Sequence, residues 1–496
     1  MTLLREPLRF LQAGEMEILH RNALRILADT GMRIDHDEAL EILKSEGCRV
    51  DFDKRHVLFP GDVVQNCVER MKQAYSRRKV PERMAVRYSY VSFRSAPFQI
   101  HQDFTVSAGG YCVFIYDLDG RRRRANVEDV RTALKLAHQL DQITYTGLPV
   151  SAQEIPLPIR QIHMAAELVK HTDKLGGIET FDAFDIKYIC RIGEVVRGSR
   201  KTLREQPILV GYAEARSPLC FDNNMCEVFL EYLRQGMPQS LDTMPNAGLT
   251  APVNPAGALA QGLAETLGGL TLAYAYDKDA VVTLDVTPSF ADMSTGIYRY
   301  AGAERYALLG ARIQMISEYY GCPSGVHGGK TDACAPDLRC GMEKGMTMLM
   351  PVLCGAVGFG TVGHLENAVT FSPLQLVLDN EIARYVRRAV KGFEISDEAV
   401  NAELVNRVGP GSSFLGEPET AQQYRQFINL APFFKVEPWG ESEKIDQERL
   451  WISMARKKVE ELLAREHEPV LSDDQIQAVD DIVAEAEAER KAQGLL

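Results

Sequence analysis

Residues 319–345, YYGCPSGVHGGKTDACAPDLRCGMEKG, gather one histidine, three cysteines, an acid–base neighbourhood and a run of glycines into one short segment. Three chemistries are open to such a set. Cys322, His327, Cys334 and Cys340, with Cys354 and His364 beyond, supply enough donor atoms for zinc. Zinc ligands usually pair as CxxC or HxxxH, so that one turn fixes two corners of the tetrahedron, and no such pair occurs here. A cysteine nucleophile with His327 as its base is the second option, and no hydrolase signature accompanies it. The third is a shaped loop. Gly325, Gly328 and Gly329 at a strand exit would let the backbone approach a ligand closely, and Pro336 suits the first turn of a helix through 343–350. This last reading accounts for most of the residues and aims His327, Lys330 and Asp332 at whatever the strand ends enclose.

The surrounding pattern says what those ends belong to. From about residue 127, helix-length segments (127–139, 157–172, 184–197, 223–235) alternate with short apolar runs. The runs are ITYTGLPV, KLGGIETF, PILVGYAEA, SLDTMPNAGL, AVVTLDVTPSF, CPSGVHGG and GAVGFGTVG. Strands alternating with helices are βα units and imply a parallel sheet. Seven such units, with an eighth near Gly392 or contributed from elsewhere, fit an α/β fold of the closed (β/α)8 TIM-barrel type. An open dinucleotide-binding sheet fits less well, because no strand is followed by GxGxxG. In a barrel the chemistry sits at the C-terminal strand ends. Glu179, Phe181, Glu214, Asp285, His327, Lys330, Asp332, His364 and Glu366 stand at those ends and predict a polar pocket on one rim.

Flanking regions complete the layout. Residues 1–126 read as a helical and β-hairpin module packed on the barrel, 127–400 as the barrel, and 401–496 as a loop and helices. Within the first module, 15–75 is helical and 85–124 alternates as an antiparallel region. The last helix, SDDQIQAVDDIVAEAEAERKAQ, carries only a thin apolar stripe and reads as a surface or oligomer-contact helix. With 496 residues, 45% hydrophobic, and a net charge of -12, the chain is a globular protein ill-suited to nucleic acid. The basic run Arg121 to Arg124 follows a hairpin turn and reads as its solvated flank. Residues 256–276 are membrane-like, but Gln261 and Glu265 make them a buried helix. No signal peptide is visible and the cysteines are scattered, which points to the cytoplasm and reduced thiols.

The opening stretch, with GAVGFGTVGHLENAVTFSPLQLVLDNEIARYVRRAVKGFEI, VGPGSSFLGEPETAQQYR and ILHRNALRILADTGMRIDHDEALEIL, resembles the trimethylamine and glycine betaine:corrinoid methyltransferase family. The similarity runs collinearly over nearly the whole chain. It implies a (β/α)8 barrel that moves a methyl group from a methylated amine to the Co(I) of a separate corrinoid protein. It also implies multimers. Trimethylamine enzymes of that family carry pyrrolysine, whereas this chain has ordinary residues throughout, which points to quaternary amines such as glycine betaine, proline betaine or carnitine. The pyrrolysine position is expected near Cys322 to Gly325. Glu417 and Glu419 stand where many relatives have histidine. On this reading Gly325, His327 and Asp332 serve catalysis, and no metal is needed on the chain. Phe181, Tyr212, Phe290, Tyr298 and Phe359 offer aromatic faces for the cation, with Glu179, Glu214, Asp285 and Glu366 as acids. Lys330 and His364 are placed to meet a betaine carboxylate, and Arg312, mid-helix, is expected on the outer surface. A zinc-dependent methyltransferase and a non-catalytic betaine-binding protein are the rival expectations.

Overall fold

The computed structural model describes residues 6–77, 104–176, 178–428, 431–436, 438, 440, 447–467 and 469–496. Two of its sheets are parallel throughout. Gln239–Thr243 lies between Gly211–Ala215 and Val282–Leu284, parallel to both. Gly325–Val326, Gly358–Gly360, Thr105–Ala108 and Tyr145–Thr146 neighbour one another in that order, also in parallel, and a bridge from Thr146 to Leu175 extends the series. The Cys322 thiol accepts the Leu284 N–H at 3.5 Å, so a side chain spans the step between the groups. Helices such as Val127–Gln139, Leu157–His171 and Ala183–Arg197 connect successive strands. The architecture is α/β.

Three expectations are corrected here. Thr105–Ala108 falls inside the segment read as antiparallel and before the expected boundary at 126, yet it pairs in parallel with Gly358–Gly360 and Tyr145–Thr146. All four of its residues are buried, as in a strand covered on both faces. Antiparallel pairing follows between Phe114–Tyr116 and Arg122–Arg124 across the expected turn, and residues 85–103 of that segment lie outside the described residues. Earlier, within 15–75, the stretch read as helical also holds His56–Leu58 paired antiparallel with Met32–Ile34 and Arg49–Asp51. Near Gly392 no named strand occurs among the described residues, and the chain from 391 to 428 contains no buried residue.

The N-terminal helices pack on the sheet through one long helix. Pro255–Tyr276 is buried continuously from Ala258 to Tyr274, and Ala13–Asp29, Asp37–Ser45 and Gly61–Arg77 lie against it. Its Glu265 carboxylate accepts hydrogen bonds from Ser217, Thr243, Gln261 and the Leu219 N–H, which satisfies the buried acid locally. No helix among the described residues is long and apolar enough to cross a membrane. The final helix, Asp473–Ala492, is neither free nor held outward. Val479, Ile482, Val483 and Ala486 bury against Leu157–His171 and Ala183–Arg197. Flanking ion pairs join His163 to Glu487, Arg191 to Glu485 and Lys187 to Glu489.

Candidate functional site

Strand register brings the acids together. Asp242 lies directly opposite Glu214 in adjacent parallel strands, so both side chains leave the sheet on the same face. The neighbouring Leu241 points the other way, onto Gly269 of the long helix. Glu179, just beyond the Leu175 bridge, and Glu214 line a cavity of about 190 Å³ together with Tyr111, Phe181, His327, Lys330 and His364. Two carboxylates, two imidazoles and a lysine amine therefore line one enclosure, and Asp242 stands beside them, in register with Glu214.

Their charges are coupled. Burial pushes Glu214 up to about 8, and the neighbouring Asp242 and Glu179 push it the same way. Burial raises Glu179 to about 7, against the pull of Lys330. Lys330 is driven down to about 7 by burial and by the like charge of Arg305. Its ammonium lies 3.6 Å from the centre of the Tyr300 ring, a close cation–π contact. Burial, then Lys330, lowers His327 to about 4, so its imidazole is neutral at physiological pH, with Nε2 3.5 Å from Asp242 Oδ2. His364 is likewise held well below the usual histidine range by burial. Gly110 makes room for it: at φ +117° a Cβ there would stand 2.4 Å from His364 Cε1.

Other residues expected at the site do different work. Asp332 accepts the N–H groups of Tyr300 and Ala301 at 3.0 and 3.3 Å, and so shapes the loop beneath Lys330. Gly325 opens a strand, and its carbonyl accepts from Arg312 at 2.7 Å. Arg312 is fully buried rather than on the outer surface, and it forms an ion pair with Asp285 that takes up that acid. Glu366 is held by Tyr116, Arg122 and Thr370 outside the cavity lining. Phe359 is core, 5.3 Å from the Phe104 ring, and Phe290 is half-buried against the N-terminal side. Tyr298 stacks at 4.5 Å on Tyr300 and donates to the Thr287 carbonyl. The backbone of Tyr212 pairs with Ser240, but its side chain lies outside the described residues. Gly328 faces inward, where a Cβ would meet Phe359 and the Thr347 carbonyl, so this glycine serves packing rather than ligand approach.

The cysteines of residues 319–345 take no part. Cys322 and Cys340 are buried, their thiols raised to about 11 and about 12 by burial, and Cys334 is exposed. Among the described residues no three His, Cys, Asp or Glu side chains are grouped to hold a metal ion. Asp242 and Tyr111 were not anticipated. The signal for Asp242 was an acid within an otherwise apolar and hydroxyl-bearing central strand, which is tolerated only where it faces a polar enclosure.

The family described as trimethylamine methyltransferase (MTTB) matches residues 3–491. A trimethylamine methyltransferase of Methanosarcina barkeri is 32% identical over 60% of this chain and 60% of its own length. A glycine betaine methyltransferase of Desulfitobacterium hafniense is 28% identical over 63% of this chain and 66% of its own. The chain thus spans less than two thirds of the length of these curated relatives. A solved monomethylamine methyltransferase of Methanosarcina barkeri aligns with a TM-score of 0.45 at 13% identity, over 92% of this chain and 89% of that one.

Proposed function

Because the chain belongs to the trimethylamine methyltransferase family, we propose that it transfers a methyl group from a quaternary amine, with glycine betaine favoured over proline betaine and carnitine, to the corrinoid of a separate protein. The observation that carries this reading is the cavity in which Glu179 and Glu214, with Asp242 in register beside them, stand among aromatic rings and one lysine. A quaternary ammonium is attracted to carboxylates and aromatic faces and offers no N–H for hydrogen bonding. Lys330 is the cation within the same enclosure that suits the carboxylate of a betaine.

The chemistry asks little of a proton. As the C–N bond breaks, its electron pair stays on nitrogen and the amine leaves neutral, while the methyl passes to the acceptor. His327 and His364 are neutral, and the cation favours loss of the protons that Glu214 and Glu179 keep in the free site, which agrees with a leaving group that needs no acid. The carrier's reduced cobalt would supply the nucleophile. The chain's own residues bind the cation, orient one N–CH3 bond toward the opening and exclude water. In this reading pyrrolysine is not used, and the parallel strands close into a (β/α)8 barrel with Thr105–Ala108 as its first strand. The neighbour order of the two parallel groups, which leads around through Thr105–Ala108 to Leu175, supports that closure. Free cysteines, all buried but Cys334, accord with a cytoplasmic location, and a homo-oligomer is part of the same proposal.

The test is absorbance of Co(I) cobalamin or of a reduced corrinoid protein after each amine is added. Loss of the Co(I) band with glycine betaine, together with appearance of dimethylglycine, is the expected result. No demethylation of any quaternary amine would refute the reading, and zinc at one equivalent per chain with thiol methylation would replace it by the zinc-dependent alternative.

A further inference from the structure

Behind the cavity lies an ion pair that the reaction itself does not use. Lys344 and Asp379 come from the helices Leu338–Leu353 and Pro373–Val390, and both side chains are 0% exposed. Neither lines the cavity. Replacing a buried ion pair by apolar side chains of similar bulk is often neutral or stabilising, so stability alone is a weak reason for one. What this pair holds is more specific. Lys344 Nζ donates to the Gly329 carbonyl at 2.7 Å, one residue before Lys330, and to Asp379 Oδ2 at 2.6 Å. The same Asp379 oxygen accepts the Gly363 N–H at 2.6 Å, one residue before His364, while Gln375 holds the other oxygen at 2.7 Å.

The rest of that helix face continues the pattern. Thr347 Oγ1 donates to the Lys330 carbonyl at 3.1 Å, and Glu343 accepts the Asp332 N–H at 2.9 Å. Asp332 in turn holds the backbone of Tyr300, whose ring lies beneath the Lys330 ammonium. The Gly329 and Lys330 carbonyls and the Asp332 N–H are thus tied to one helix, and the ion pair links that helix to the His364 loop.

We propose that Lys344 and Asp379 are positioning residues that together fix the spacing between Lys330 and His364, and with it the width of the cavity. The inference rests on the reading of Lys330 and His364 as walls of the substrate site. It is tested with the Lys344→Met/Asp379→Leu double variant, which removes both charges and keeps bulk, and with Thr347→Val, which removes one neutral hydrogen bond. The His364 Cε1–H resonance is followed in unliganded, ¹³C-histidine-labelled protein, and steady-state kinetics are measured with glycine betaine. Expected results are a displaced or broadened His364 resonance in the double variant and a KM raised roughly tenfold with kcat changed much less, the factor carried by one charge-assisted hydrogen bond. Thr347→Val should raise KM by a smaller factor at an unchanged His364 resonance. A double variant with both resonance and KM at wild-type values would overturn the inference. Should it fail to fold, Thr347→Val with wild-type KM overturns it instead. Because the resonance is read without substrate, its displacement in a protein that demethylates no amine would sink the proposed reaction and leave the positioning role standing.

Discussion

Binding of a permanent cation should expel protons, and the number expelled should depend on whether the ligand carries a carboxylate. At pH 7, Glu214 at about 8 is mostly protonated and Glu179 at about 7 is half so. A quaternary nitrogen about 5 Å from a carboxylate, at an effective dielectric of about 20, favours the ionised form by about 3 kcal/mol, or about two pKa units. That shift ionises both acids. Tetramethylammonium also disfavours the charged form of Lys330, which titrates at about 7, so every linked change releases protons. The sum is about one to two protons per cation at pH 7. Glycine betaine differs: its carboxylate beside Lys330 restores the ammonium and takes up about half a proton. Titration calorimetry at pH 7 in phosphate and in Tris reads the count directly, from the dependence of the binding enthalpy on buffer ionisation. Tetramethylammonium should release more than glycine betaine, and Lys330→Met should erase the difference. Buffer-independent enthalpies for both ligands, at measurable affinity, would refute the coupled-acid description of the cavity. Equal release by both ligands in the wild type would refute the role of Lys330 alone.

Three further outcomes follow from local geometry. Asp242→Asn removes the like charge in register with Glu214, so Glu214 should titrate lower and proton release on binding tetramethylammonium at pH 7 should fall, as the same calorimetry shows. Gly110→Ala places a methyl group against His364 at a backbone conformation suited to glycine; thermal unfolding should show a loss of about 1–3 kcal/mol, with weakened amine binding. Near the C-terminal helices, burial lowers His138, His171 and His467, so the folded protein resists their protonation. Their stabilising contribution is present above the unfolded histidine value of about 6.5 and is lost as pH falls below it. The midpoint of unfolding should therefore drop between pH 7.5 and 5.5, and His467→Gln should flatten that drop.

Much of this was readable in the chain, and the misses share a cause. Glu179, Glu214, His327 and Lys330 each terminate or follow an apolar run, and the fold brings all four to the lining of one cavity. Asp242 sits inside a run, where the strand-end rule does not look. Thr105–Ala108 is made of small and hydroxyl residues, too short to show whether its period is that of a hairpin or of a doubly buried strand. Arg312 lies mid-helix, where a charge ordinarily faces water. Its burial depends on Asp285, at the end of the strand Val282–Leu284 that precedes its helix, a pairing no local pattern records. The C-terminal helix reads as a surface or oligomer-contact helix because its apolar stripe is thin, whereas that stripe is buried within the chain and ion pairs flank it, with Lys170 meeting Asp480 and Arg490 meeting Asp182. Each miss is a long-range pairing, and periodicity reports only local surroundings.

The balance of charge in the cavity bears on what the site is for. Three carboxylates face one another with Lys330 as the cation among them, and that lysine is itself pushed toward neutrality. At neutral pH such an enclosure satisfies itself by keeping protons, so an incoming cation must displace them. Affinity for a permanent cation should then rise with pH, by about tenfold per unit for each proton released, and level off above the Glu214 midpoint of about 8. An uncharged isostere of a quaternary ammonium, 3,3-dimethylbutan-1-ol, behaves otherwise, because it brings no charge and displaces no proton. Measured between pH 6 and 8.5, tetramethylammonium binding should tighten and then level off while binding of the alcohol changes little. Parallel pH profiles for the two would mean that the acids do not respond to the positive nitrogen, and the selectivity for a quaternary cation would have to come from the aromatic faces instead.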